Sequence, residues 1–325
     1  TDPRAVAERE VDLTVELAGV ELANPILSAS GCFAAGAEMD RFYDINALGA
    51  VVTKSVTLEP REGLLTPRMA ETPAGMLNAI GLQNPGIQRW IERDLRWLQQ
   101  RNSRVIASIA GKSVDDFRTV ARQLRRQPAI VALEVNLSCP NVDHRGLVFA
   151  CAAEPAAEVV AAVARESDVP VFAKLTADVT DIVAIAQAVV DAGATGVTLI
   201  NTLLGMAIDP DTGMPEVHNR YAGLSGPAIR PIALRCIDQV HRALPHVPII
   251  GCGGVRSVED VVQFTRAGAR AVQIGTAMFV DPMIGPRLIG ELRGWLDQRS
   301  YARFTDIVGA VGEWSATPSP TSGTQ

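Results

Sequence analysis

Eight short apolar runs, separated mostly by longer segments of helical period, constrain the fold of this chain more than any other feature. The runs are Asn24–Ala29, Ala50–Ser55, Val105–Ala110, Ala132–Leu137, Val171–Leu175, Gly196–Ile200, Pro248–Gly251 and Ala271–Ile274. Each is rich in β-branched residues and apolar on both faces, the pattern of parallel strands covered on both sides. Helices are expected over Ser113–Arg126, Pro155–Glu166, Asp181–Asp191, Arg230–Leu244, Ser257–Ala267 and Gly285–Gln298. In the first of these, Val114, Phe117, Val120, Ala121 and Leu124 form one stripe, and Ser113 with Asp116 resembles a capping box. Three linkers, Asp191-Ala-Gly-Ala, Ala47-Leu-Gly-Ala and Arg266-Ala-Gly-Ala, place a Gly where a left-handed C-cap is expected. Strand–helix alternation belongs to the α/β class. Eight units favour a closed (β/α)8 TIM barrel over an open doubly wound sheet, and 325 residues suffice for one.

Val11–Glu21 alternates polar and apolar residues around Ala18-Gly19. It is expected to form an N-terminal β-hairpin that plugs the N-terminal end of the barrel. The segment from Asn201 to Gly226 is rich in Gly, Pro and Asp and reads as one long loop, functional or mobile. Residues 1–316 are expected to be a single barrel domain, and 317–325 a disordered tail.

The chain carries 36 acidic against 30 basic side chains, a formal net charge of −6. That balance argues against nucleic acid as a partner. No long apolar stretch suits a membrane, and Thr1–Glu10 lacks a signal core, so a cytoplasmic protein is expected. The five cysteines are Cys32, Cys139, Cys151, Cys236 and Cys252, with no CxxC pair. Neither a disulfide framework nor a metal site within this chain is expected. The ordinary reading of each is a small buried side chain, which Cys151 and Cys236 keep.

Active sites of such barrels lie at the C-terminal ends of the strands. Those ends bring Ser30, Lys54-Ser55, Ser108, Asn136–Asn141, Lys174, Asn201-Thr202, Gly253-Gly254 and Gly275-Thr276 to one mouth. Buried lysines and amides cost free energy without partners, so a purely structural barrel has no need of them. The glycine turns after strands seven and eight present bare backbone N–H groups, suited to a phosphate. Phosphate, amide-rich walls and Lys174 together point to flavin mononucleotide (FMN), with the cation at the pyrimidine end of the ring. The rival reading makes Lys174 a Schiff-base lysine of an aldolase, which leaves Cys139 and the amides unexplained. Asn136 and Asn141 offer donors and acceptors to a cyclic imide. Cys139, between polar residues at a strand end, is a candidate general base.

The motifs Ala29-Ser-Gly-Cys-Phe33, Thr53-Lys-Ser55, Asn78-Ala-Ile-Gly-Leu-Gln-Asn-Pro85, Asn136–Asn141, Lys174-Leu175, Ile200-Asn-Thr202, Gly223-Leu-Ser-Gly-Pro-Ala228, Gly253-Gly254 and Gly275-Thr276 resemble those of class 1 dihydroorotate dehydrogenases. The resemblance spans Asn24 to about Pro282. It implies an FMN-dependent oxidoreductase of pyrimidine (UMP) biosynthesis that oxidises dihydroorotate to orotate. By resemblance, Cys139 removes the C5 proton and the C6 hydride passes to flavin N5. Lys54, Asn78, Ala79, Ile80, Gly81, Leu82, Asn136, Asn141, Asn201 and Thr202 would hold the substrate. Ser30, Lys54, Ser55, Ser108, Asn136, Lys174, Ile200, Gly226, Gly253, Gly254, Gly275 and Thr276 would hold FMN.

The Asn78–Gln83 loop looks like class 1B. That class passes electrons to NAD through a partner subunit carrying FAD and a [2Fe-2S] cluster, and a homodimer core is common. Three departures from the pattern stand out: Arg145-Gly146 with Phe149-Ala150 in the expected lid, Ser108 in place of Asn, and Thr176-Ala-Asp178 after Lys174. His144, also near the lid, reads as a solvated loop residue. A fumarate-linked class 1A enzyme, a related dihydropyrimidine oxidoreductase and a non-catalytic flavin-binding subunit remain as alternatives.

Overall fold

In the computed structural model, residues 11–138 and 149–313 are described. Cys139, Asn141, His144, Arg145 and the 317–325 tail lie outside them. The described chain opens with β1 (Val15–Leu17) and β2 (Val20–Leu22), an antiparallel hairpin. Ala18 and Gly19 both have positive φ, the backbone of a type I′ turn. Arg104, directly before the third barrel strand, donates to the Glu21 carbonyl at 2.6 Å. The hairpin therefore sits at the N-terminal end of the barrel, as its sequence pattern suggested.

The barrel strands are β3 (Ile26–Ser28), β4 (Val51–Val52), β7 (Val105–Ile109), β8 (Ile130–Asn136), β9 (Val171–Leu175), β10 (Gly196–Leu199), β13 (Ile249–Cys252) and β14 (Ala271–Ile274). They pair in parallel, in the order β3-β14-β13-β10-β9-β8-β7-β4. All eight expected runs are strands of this sheet. The ring closes between β3 and β4 through a parallel bridge from Leu27 to Ala50. Ser28 ties this seam, its buried hydroxyl accepting from Val52 N at 2.8 Å and lying 3.1 Å from Val52 O.

The outer helices are α3 (Val114–Gln123), α4 (Ala153–Glu166), α5 (Ile182–Asp191), α6 (Arg230–Ala243), α7 (Val258–Ala267) and α8 (Ile284–Asp297). They match the six expected helices to within a few residues at their ends. A helical stretch not anticipated from sequence joins the second and third strands: α1 (Ile87–Trp90), a π turn over Ile91–Leu95, and α2 (Arg96–Gln100). Its stripe of Ile87, Trp90, Leu95 and Leu98 is buried.

Two local expectations are corrected. Ser113 does cap α3, accepting from Asp116 N at 3.2 Å, but Asp116 turns to Lys112 N at 2.9 Å and leaves the box half made. The complete box is Ser257 with Asp260 on α7. Of the three linker glycines, Gly193 and Gly268 are left-handed and Gly49 is not. Gly49 is small for another reason: a Cβ there would collide with the Asn24 carbonyl oxygen.

The largest correction concerns the mouth. The segment 201–226 is not a structureless loop, because it contains β11 (Leu203–Gly205) and β12 (Ala222–Ser225). These join β5 (Met69–Thr72) and β6 (Gly75–Asn78) in an antiparallel sheet of order β11-β12-β6-β5. Strands of three or four residues carry too little alternation to read. Their ladder also pairs Gly223 with Asn78, so the stabilising partner is remote in sequence.

Candidate active site

Beneath the mouth, four strands contribute one buried polar network. Lys174 Nζ on β9 lies 3.4 Å from Glu134 Oε1 on β8, 3.0 Å from Gln273 Oε1 on β14 and 3.3 Å from Ser30 Oγ. Glu134 also accepts from Thr198 Oγ1 on β10 at 3.1 Å and from Gln273 Nε2. Lys174 is 3% exposed and Glu134 0%. Burial works against the lysine's charge, but the Glu134 carboxylate, through its charge and its hydrogen bond, holds the ammonium above its ordinary value. A fixed, fully partnered cation therefore stands at the floor.

Above it, amides orient one another. Asn136 Nδ2 donates to Ser55 Oγ at 3.2 Å. Asn136 Oδ1 accepts from Ser138 N at 3.2 Å and from Asn201 Nδ2 at 3.1 Å. Asn201 Oδ1 in turn accepts from Thr202 N at 2.8 Å. On the opposite rim Asn78 Nδ2 donates to Gly223 O at 3.2 Å, so the small antiparallel sheet holds it. The loop after Asn78 is pinned by Asn84, which donates to Leu82 O at 2.7 Å and accepts from Gly86 N at 2.9 Å. These bonds fix the side chains before any ligand arrives, as a recognition site requires.

The third part is a bare backbone cradle. Gly226, Gly253 and Gly254 all have positive φ. A Cβ on Gly254 would stand 2.5 Å from Gly226 O, and one on Gly226 would stand 2.7 Å from Gly75 Cα. Thr276 Oγ1 lies 2.8 Å from Ser225 Oγ. These surfaces enclose a cavity of about 540 Å³, within the usual range for cofactor sites.

A family described as "Dihydroorotate dehydrogenase" matches residues 12–296. The chain belongs to this family. Among its dihydroorotate dehydrogenase relatives, the "Dihydroorotate dehydrogenase B (NAD(+)), catalytic subunit" of Anoxybacillus flavithermus is 51% identical over 91% of this chain and 95% of its own length. The protein of the same name from Geobacillus kaustophilus is 50% identical with the same coverage. The crystal structure of DHODH from Eimeria tenella in complex with ferulenol is 22% identical, with a TM-score of 0.78, covering 95% of this chain and 91% of that one. That likeness shows the shared fold.

The structure gathers most residues singled out from sequence around this one cavity. Ser30, Lys54, Ser55, Asn136, Lys174, Ile200, Asn201, Thr202, the 78–82 loop, Gly226, Gly253, Gly254, Gly275 and Thr276 all line it. Ser108 does not. It is fully buried behind Ser55, their hydroxyls 2.9 Å apart, so it meets the cavity only through that neighbour. Ala150 is likewise buried in the core rather than on an exposed lid. Cys139 and Asn141 fall outside the described residues.

Cys32 and Cys252 also line the cavity. Burial pushes the Cys32 thiol up to about 11 and raises Cys252 as well, so neither offers a thiolate near neutral pH. Cys236 is buried, whereas Cys151 is exposed, which corrects the packing role given to it. Sequence reasoning missed Ser225 and Arg61, which also line the cavity. Ser225 stands inside the Gly223–Ala228 motif and was legible there; Arg61 carried no such signal.

Proposed function

We propose that this chain is the catalytic subunit of an NAD-linked dihydroorotate dehydrogenase, oxidising dihydroorotate to orotate with FMN. The observation that carries the reading is the likeness, over 91% of the chain, to proteins named as catalytic subunits of that enzyme. Among the described residues no helix is long and apolar enough to cross a membrane.

The cavity fits FMN on its own terms. The Gly226–Gly254 approach leaves no room for a Cβ, as a backbone phosphate cradle requires. Thr276, with Gly253 and Gly275, would complete the phosphate end. Lys174 would face the pyrimidine end of the ring, held in its charged form by Glu134. Ser30, Lys54, Ser55, Asn136 and Ile200 would contact the rest, with Ser108 supporting Ser55. When bound, FMN supplies the hydride acceptor.

The chain's own residues supply binding and proton transfer. Lys54 is suited to the substrate carboxylate. Asn136, Asn141, Asn201, Thr202 and the Asn78–Leu82 loop are suited to the alternating C=O and N–H edge of the ring. Cys139 would take the C5 proton. The two electrons that leave the substrate as hydride, accepted by FMN, would pass to a partner subunit bearing FAD and a [2Fe-2S] cluster, on a homodimeric core.

Anaerobic mixing of the flavin-loaded protein with dihydroorotate should bleach the flavin absorbance; a spectrum that stays oxidised would remove the substrate assignment. Rapid reoxidation by fumarate instead of through the NAD-linked partner would replace class 1B by class 1A. Gly254→Ala forces a Cβ onto Gly226 O at a backbone conformation that costs a side chain about 1–2 kcal/mol. FMN affinity should fall more than tenfold, measured by flavin fluorescence on titration; unchanged affinity would put the phosphate elsewhere.

A further inference from the structure

The two walls of the glycine cradle come from separate parts of the chain. One is the turn through Gly226 between β12 and α6; the other is Gly253-Gly254 between β13 and α7. At Gly254 backbone meets backbone, the atoms nearest a Cβ there belonging to Gly226 and Pro227, while Gly253 lies against the apolar side chains of Ile229 and Ala233. Those apolar side chains fill space against the glycine turn but form no directional bond across the gap. A directional tie must therefore come from the elements behind it.

One carboxylate reaches both elements. Asp260, at the third position of α7, is 2% exposed. Its Oδ2 accepts from Arg256 N at 3.0 Å and from Ser257 N at 3.2 Å, the residues leading from Gly254 into the helix. Its Oδ1 accepts from the guanidinium of Arg230. Arg230 opens α6, four residues after Gly226. Asp260 N donates to Ser257 Oγ at 3.4 Å and completes the box. Capping α7 needs only the Arg256 and Ser257 contacts. The Arg230 contact adds nothing to the cap, but it joins the far wall to it. A charge-assisted bond to a buried carboxylate is the strong kind, and it holds direction as well as distance.

We propose that the Arg230–Asp260 pair is a positioning device for the phosphate end of the cofactor site, setting the gap between Gly226 and Gly254. This rests on the FMN reading above. Neither residue is among the side chains lining the cavity, so the pair acts through the backbone it holds. It selects for the phosphate-bearing form of the flavin over the unphosphorylated one.

The test uses the full-length chain, freed of flavin and titrated with FMN and separately with riboflavin, reading flavin fluorescence. Arg230→Gln keeps the α7 cap and removes the tie. FMN affinity should drop about tenfold while riboflavin affinity changes less than twofold. Arg230→Lys, which retains a cation, should recover part of the FMN preference, and it serves if Arg230→Gln does not fold. An equal loss for both flavins, or an unchanged FMN-to-riboflavin ratio in both variants, would overturn the positioning role. Wild-type chain that binds neither flavin would overturn the cofactor reading itself, and this inference with it.

Discussion

Cys139→Ala is expected to slow flavin reduction by dihydroorotate about 10²–10⁴-fold, the usual contribution of a positioned general base. The substrate C5–H is acidified only by its neighbouring carbonyl, so proton removal needs a base in place at the moment of reaction. A thiol, with an ordinary pKa of about 8.5, is deprotonated often enough near neutral pH to serve. The cysteines that do reach the cavity in the described structure, Cys32 and Cys252, are held protonated by burial, so neither substitutes for it. FMN affinity should be unchanged, because the proposed flavin contacts lie on other residues. The measurement is anaerobic stopped-flow absorbance, with the wild-type rate rising with pH through the thiol's titration. A variant that reduces its flavin at the wild-type rate would remove Cys139 from the chemistry.

How much of this was legible in the sequence depends on where each residue finds its partners. The barrel strands were readable because burial on both faces makes each run apolar throughout, as in Val105–Ile109 and Val171–Leu175. Their ends then located the cavity, since chemistry in this fold collects there. The mouth sheet was not readable. β6 and β12 are four residues each and pair across the chain, and nothing local marks such pairing. Ser108 shows the same limit at one residue. Its position at a strand end was evident, but its place behind Ser55 is a matter of depth, which a linear pattern does not carry. Glu134 is the sharpest case. In the sequence it is one acid within an apolar run; only the β8–β9 register, which sets Asn136 beside Lys174, reveals its partner.

That partnership predicts a large stability effect. Glu134→Leu leaves the Lys174 ammonium fully buried without its carboxylate, and breaking one side of such a pair typically costs about 3–5 kcal/mol. Gln273 Oε1 and Ser30 Oγ still accept from Nζ, but both are neutral. Gln273 Nε2 and Thr198 Oγ1 also lose their acceptor, and buried donors left unpaired add to the loss. The double variant Glu134→Leu with Lys174→Met removes both charges, so it should recover much of the stability while losing the cation offered to the flavin. Urea unfolding followed by circular dichroism measures the first effect, and FMN titration the second. If Glu134→Leu cost less than about 1 kcal/mol, Lys174 would not depend on Glu134 for its charge. The fixed cation at the cavity floor would then need another origin.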